Sequence, residues 1–194
     1  QERFADQCVI SIINPMDHRS VPFFLRESQS DYDKIVRDVP ELYRIGYDAS
    51  DAAIPSAILE SALTVFLFEA IRDAIRTYQP DIILTTYPLY QSALEAVFVI
   101  NDTNVPLITV VTDLVSVHRL WFNDRVDLCL VPTDAVKKQA LENNIPESKI
   151  RITVIPIQPV FSKLEIQKAD LRAELGWETD PTTILMGTSK RVAN

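Results

Sequence analysis

Glycine is scarce in this chain: Gly46, Gly176 and Gly187 are the only three among 194 residues. A loop that cradles phosphate needs several closely spaced glycines so that backbone amides can approach the anion. No such loop lies in the sequence, so any nucleotide is held by other means or by residues outside these boundaries. Histidine is limited to His18 and His118, and neither Cys8 nor Cys129 has a second cysteine at zinc spacing, so no metal centre is expected. A Gly-x-Ser-x-Gly elbow is missing, which weakens a serine-hydrolase reading. Clusters of Lys or Arg are also missing, and the net charge of −8 with a pI near 4.8 argues against nucleic acid, whose phosphates call for a basic face.

Long apolar runs are lacking too. The nearest candidate, residues 52–71, is interrupted by Pro55, Glu60 and Glu69, and charges at mid-bilayer are costly, so it reads as a buried or interfacial helix. The polar opening, Gln1 to Asp6, does not read as a secretory signal. Cys8 and Cys129 each sit in an apolar run, where a buried reduced thiol is expected. A reducing, cytoplasmic setting follows as the expected location, extending to peripheral contact with the inner face of the cell membrane. No internal repeat or low-complexity tract is visible.

What is there is abundant apolar sequence, 47% of residues against 24% charged, enough for a sizeable core. Short apolar runs predict strands near 7–13, 81–86, 107–112, 126–131, 151–155 and 182–186. Segments of helical spacing fall between them. The clearest is about 55–78, where Ile58, Ala62, Val65, Phe66, Ile71 and Ile75 suggest the apolar face and Pro80 the end. A second helix is predicted over 133–144, with Thr133 or Asp134 as cap, Lys137 and Lys138 toward water, and Asn143-Asn144 as the stop. A weaker helical pattern lies around 31–45, and a short helix over 168–175 ends at Gly176. Strands this apolar, alternating with helices, imply an α/β doubly wound parallel sheet covered on both faces. Pro156 and Pro159, followed by Phe161, turn the chain away from the sheet as a linker.

In an open parallel sheet, ligands bind past the carboxyl ends of the strands. Here the strand at 107–112 stops on Asp113, and His118 and Trp121 follow. Tyr87, Thr133 and Gln158 lie just past other strand ends and could join them in one crevice. A carboxylate or an imidazole there can serve as a general base toward a hydroxyl, and an indole offers a platform. Each has a plainer reading: Asp113 as a turn cap, His118 as a structural histidine, Trp121 as a packed aromatic.

The run PDIILTTYP (80–88), followed by VPLITVVTDLVSVHRLWFNDRVDLCLVPTDAVKKQALENNIPESKIRITVIPIQPVF (105–161), resembles the monogalactosyldiacylglycerol synthase and processive diacylglycerol glycosyltransferase family. That family is related to the peptidoglycan glycosyltransferase acting on an undecaprenyl-linked acceptor. The resemblance is good over 80–161 and looser over 168–187. It implies a B-type glycosyltransferase, with two Rossmann-like domains facing each other across a cleft. Residues 1–155 would be the acceptor domain, 156–167 the linker and 168–194 the opening of the donor domain. The first strand and the glycine-rich loop carrying histidine, with which such enzymes open, are expected to be absent from this sequence. The implied reaction moves a hexose from a nucleotide-sugar to a lipid such as diacylglycerol, with inversion and without metal or resident cofactor. Asp113 and His118 would be the catalytic pair, and Tyr87, Trp121, Thr133 and Gln158 would bind substrate.

Asp113, His118 and Trp121 match the family pattern. Thr86-Tyr87-Pro88 stands where relatives have Ser/Thr-His-Pro, and Val154-Ile155-Pro156-Ile157 lacks the glycine usual at the linker. These differences, with the glycine-poor Gly187-Thr188-Ser189, keep open a non-catalytic, glycosyltransferase-like binding module. The segment alone is expected to be inactive.

Overall fold

The computed structural model describes residues 7–23, 26, 53–159, 167–178 and 182–184. The chain divides into two compact units, Gln1–Ile155 and Pro156–Asn194. In the first unit, helix α1 (Ala53–Tyr78) leads to strand β1 (Ile83–Thr85), helix α2 (Gln91–Asn101) and β2 (Leu107–Val110). Then come β3 (Leu128–Val131), helix α3 (Asp134–Glu142) and β4 (Ile150–Ile152). The four strands pair in the order β1-β2-β3-β4, all parallel, an α/β Rossmann-like sheet.

The register separates the two faces. Thr85, Leu107, Thr109, Cys129, Val131 and Ile150 are buried on one face, against a core built from Leu67 and Ile71 of α1, Ala93 and Val97 of α2, and Val136 and Ala140 of α3. On the other face Val110 is buried, Ile108, Leu128 and Leu130 are half-buried and Leu84 is exposed. Among the described residues the second face is covered in part.

Scarcity of glycine shows in how the helices stop. Gln79 after α1, Asp102 after α2 and Asn144 after α3 all take positive φ, at 43°, 50° and 66°. Side chains seldom accept this conformation, and Asn and Asp tolerate it best. After α2 the Thr103 amide bonds the Phe98 carbonyl at 3.0 Å, and after α3 the Ile145 amide bonds the Ala140 carbonyl at 3.0 Å. Those bonds satisfy carbonyls that a helix end leaves open, and buried Ile145 anchors the chain on the core.

Several expectations need correction. Residues 7–13 form no strand: Val9 and Ile12 are almost fully exposed, and Cys8 is exposed where a buried thiol was expected. Apolar character alone does not place a run in a sheet, and the described four-stranded sheet does not include this one. Helix α1 is present, but its buried stripe is Leu63, Leu67, Ala70 and Ile71, while Ile58, Ala62, Val65 and Phe66 are exposed. This helix is apolar on two faces, so periodicity alone does not choose between them. Lys137 is half-buried and pairs with Glu147 at 2.7 Å rather than simply facing water. Of 182–186, residues 182–184 are not in a strand and the rest lies outside the described residues, as do 31–45 and Phe161.

In the second unit, helix α4 (Lys168–Glu174) ends on Gly176 at φ 68°. Arg172 is buried and donates to the Glu178 carbonyl at 2.6 Å and the Thr183 hydroxyl at 2.7 Å.

Candidate functional site

Beyond Val111, whose amide still bonds the Leu130 carbonyl at 2.8 Å, the chain leaves the sheet into a loop with an exposed tip, 112–116. It returns to the core at Val117 and closes in a 3-10 turn, Arg119–Trp121. His118 caps that turn: its Nδ1 accepts the Leu120 amide at 3.2 Å. The neutral ring then carries its proton on Nε2, because the Nδ1 lone pair is committed. The imidazole is buried and serves to shape the turn.

The turn delivers Trp121 into the core, and its indole Nε1–H donates to Asp113 Oδ2 at 2.8 Å. Asp113 and Trp121 thus form a direct pair across the loop. A carboxylate accepting an N–H bond is held in one orientation, and the exposed position of Asp113 leaves it reachable by a hydroxyl. Beside it, Leu114 and Val115 are 56% and 71% exposed, an apolar tip next to an acid.

Thr133 joins the site through the backbone. Its hydroxyl donates to the Leu114 carbonyl at 3.0 Å while accepting the Val136 amide at 3.2 Å, so one oxygen caps α3 and tethers the loop. Tyr87 lies at the next strand end, its ring 5.2 Å from that of Tyr90, in a turn (Pro88–Tyr90) that packs against Arg119–Trp121. The structure therefore brings Asp113, His118 and Trp121 together, with Thr133 bracing them and Tyr87 alongside. Gln158 belongs to the second unit and is exposed.

Sequence reasoning passed over two glutamines. Gln139 of α3 donates to the Val115 carbonyl and accepts the Val117 amide at 3.1 Å. Gln91, the first residue of α2, donates to the carbonyls of Leu120 and Trp121. Neither position carries a local signal: Gln91 opens a helix beside Ser92, and Gln139 follows Lys137 and Lys138 within one. Among the described residues no three His, Cys, Asp or Glu side chains are grouped to hold a metal, and no helix is long and apolar enough to cross a membrane.

Residues 3–157 match the family model for monogalactosyldiacylglycerol (MGDG) synthase. A probable monogalactosyldiacylglycerol synthase 3, chloroplastic, from Oryza sativa subsp. japonica is 30% identical over 176 residues, covering 88% of this chain and 34% of the relative. Monogalactosyldiacylglycerol synthase 3, chloroplastic, from Arabidopsis thaliana is 35% identical over 130 residues, 66% of this chain and 28% of the relative. The chain spans about a third of the length of the curated relatives it matches. The expectation of a cytoplasmic protein, or of one resting on the inner face of the cell membrane, is overturned by these relatives, which are named chloroplastic. The sequence pattern, the parallel sheet and the matched residues converge: the chain belongs to the monogalactosyldiacylglycerol synthase family.

Proposed function

We propose that this chain is the acceptor-side portion of a glycosyltransferase that moves a hexose from a nucleotide-sugar to a lipid hydroxyl such as that of diacylglycerol. Residues 1–155 hold the acceptor, 156–167 link, and 168–194 open the donor-binding domain. The observation that carries this reading is the Asp113–Trp121 pair at 2.8 Å, past the carboxyl end of β2 in a chain matched to the family over 3–157.

In this proposal the acceptor hydroxyl approaches Asp113, whose carboxylate takes its proton as the oxygen attacks the anomeric carbon of the donor. Attack from the face opposite the leaving nucleotide inverts that carbon. His118 assists by holding the turn that presents Trp121, and its committed Nδ1 makes Asp113 the better candidate for the base. Tyr87, Trp121 and Thr133 line or brace the acceptor side. No metal or resident cofactor is required, since the leaving phosphate can be stabilised by amides and side chains of the donor domain.

The apolar tip Leu114-Val115 beside the carboxylate supports a lipid acceptor. With a net charge of −8, contact with a bilayer surface would rely on such apolar groups rather than on basic attraction. A second reading, a non-catalytic binding module, is favoured by one observation: Asp113 and His118 both serve structural hydrogen bonds. Turnover of nucleotide-sugars with diacylglycerol decides between them. The full-length protein should transfer hexose and the 194-residue chain alone should not; no transfer by the full-length protein, with lipid binding retained, would establish the module instead.

A further inference from the structure

We infer that Gln91 is a positioning residue for the acceptor wall: its buried carboxamide fixes the turn that carries Trp121, and through Trp121 the orientation of Asp113. This inference rests on the reading of Asp113 and Trp121 as the acceptor site. Gln91 is only 1% exposed. Its Nε2 donates to the Trp121 carbonyl at 3.2 Å and to the Leu120 carbonyl at 3.4 Å, joining the start of α2 to a turn about thirty residues away. The amide orientation is settled by chemistry, because the opposite flip would set Oε1 against two carbonyl oxygens.

That choice leaves Oε1 buried without a partner, a costly condition for an acceptor. An apolar side chain of similar volume would avoid it, yet would leave two carbonyls of the turn without a donor. The side chain thus trades one unmet acceptor for a fixed turn. Only the arm at Leu120 and Trp121 depends on it, since the other arm, Leu114 to Val117, is held by Thr133 and Gln139 of α3. A shift of the turn would carry the indole N–H away from Asp113 Oδ2, and the carboxylate would lose its fixed aim while remaining present. The effect belongs to acceptor binding and leaves donor binding alone.

The test uses the full-length protein with Gln91→Met and Gln91→Glu, alongside Asp113→Asn and Trp121→Phe. Initial rates are measured against diacylglycerol in phosphatidylcholine–detergent mixed micelles and against the nucleotide-sugar. Gln91→Met removes the donors, and Gln91→Glu keeps shape and polarity while turning an oxygen toward the carbonyls. Both should raise KM for diacylglycerol about tenfold with the donor KM within twofold. If Gln91→Met does not fold, Gln91→Glu decides. An unchanged acceptor KM, or a fall in kcat matching a loss of folded protein with both KM values unchanged, overturns the inference. If Asp113→Asn or Trp121→Phe raises the acceptor KM and the Gln91 variants do not, the role of Gln91 alone is refuted. If none of the four moves it, the acceptor-site reading falls and the inference falls with it.

Discussion

Thr133 offers a sharp perturbation, because one hydroxyl holds a helix and a loop at once. Its oxygen accepts the Val136 amide at 3.2 Å and donates to the Leu114 carbonyl at 3.0 Å. Replacing a threonine cap by alanine costs about 1 kcal/mol. The second bond lies at an exposed carbonyl that water can satisfy, so it adds only about 0.5 kcal/mol. Together, Thr133→Ala should weaken this junction by about 1.5 kcal/mol, which is roughly a tenfold change in a local opening equilibrium. Hydrogen exchange followed by mass spectrometry reads this directly. Peptides covering 114–117 and the first turn of α3 should exchange roughly tenfold faster in Thr133→Ala, with the α1 core unaffected. Thr133→Ser keeps the oxygen and should behave as the parent. Equal acceleration in Thr133→Ser and Thr133→Ala would refute the reasoning, since methyl packing rather than the hydroxyl would then hold the junction.

Other outcomes follow from the same structure. Leu67→Ala, at a site with 0% exposure, should cost about 2–5 kcal/mol in urea unfolding, whereas Val65→Ala, 73% exposed, should stay within about 0.5 kcal/mol; equal losses would contradict the assignment of the buried stripe. Val154 sits at φ 60°, a strained setting for a branched residue, so Val154→Gly should stabilise by up to about 1 kcal/mol after the entropy of glycine is offset; a lower denaturation midpoint would show the strain is not there. Burial pushes the Cys129 thiol from 9.0 up to about 11, so it stays neutral at pH 8 and should resist alkylation while exposed Cys8 reacts. A raised folded pKa contributes stability that is complete below pH 9 and lost as the pH rises toward 11, so the alkaline midpoint should move upward in Cys129→Ala if the fold otherwise holds.

The strands β1 to β4, and α3 with its Thr133 cap, were legible because each rests on local patterning: short apolar runs, a polar break, a capping hydroxyl. The loop past β2 was legible for the same reason, since Asp113 ends an apolar run and His118 and Trp121 follow within nine positions. What failed depended on distant partners. Residues 7–13 look like a strand, but apolar character alone does not place a run in a sheet, and α1 offers two apolar faces of which only packing selects one. The links that hold the site together were invisible for the same cause. The partners of Gln91, Gln139 and Thr133 lie 19 to 30 residues away, and hydrogen bonds at that range leave no periodic trace. The Asp113–Trp121 bond itself spans eight residues, yet nothing in the spacing distinguishes it from a turn cap.

The most direct test of the proposed acceptor wall is the rate of hexose transfer to diacylglycerol by the full-length protein, compared for the parent, Asp113→Asn and His118→Ala. Asn keeps an oxygen for the Trp121 indole while removing the proton acceptor, so its kcat/KM should fall by about a hundredfold or more, and His118→Ala should fall less, as befits a residue that shapes a turn. Unchanged rates in both variants would contradict the assignment of Asp113, His118 and Trp121 as the acceptor site.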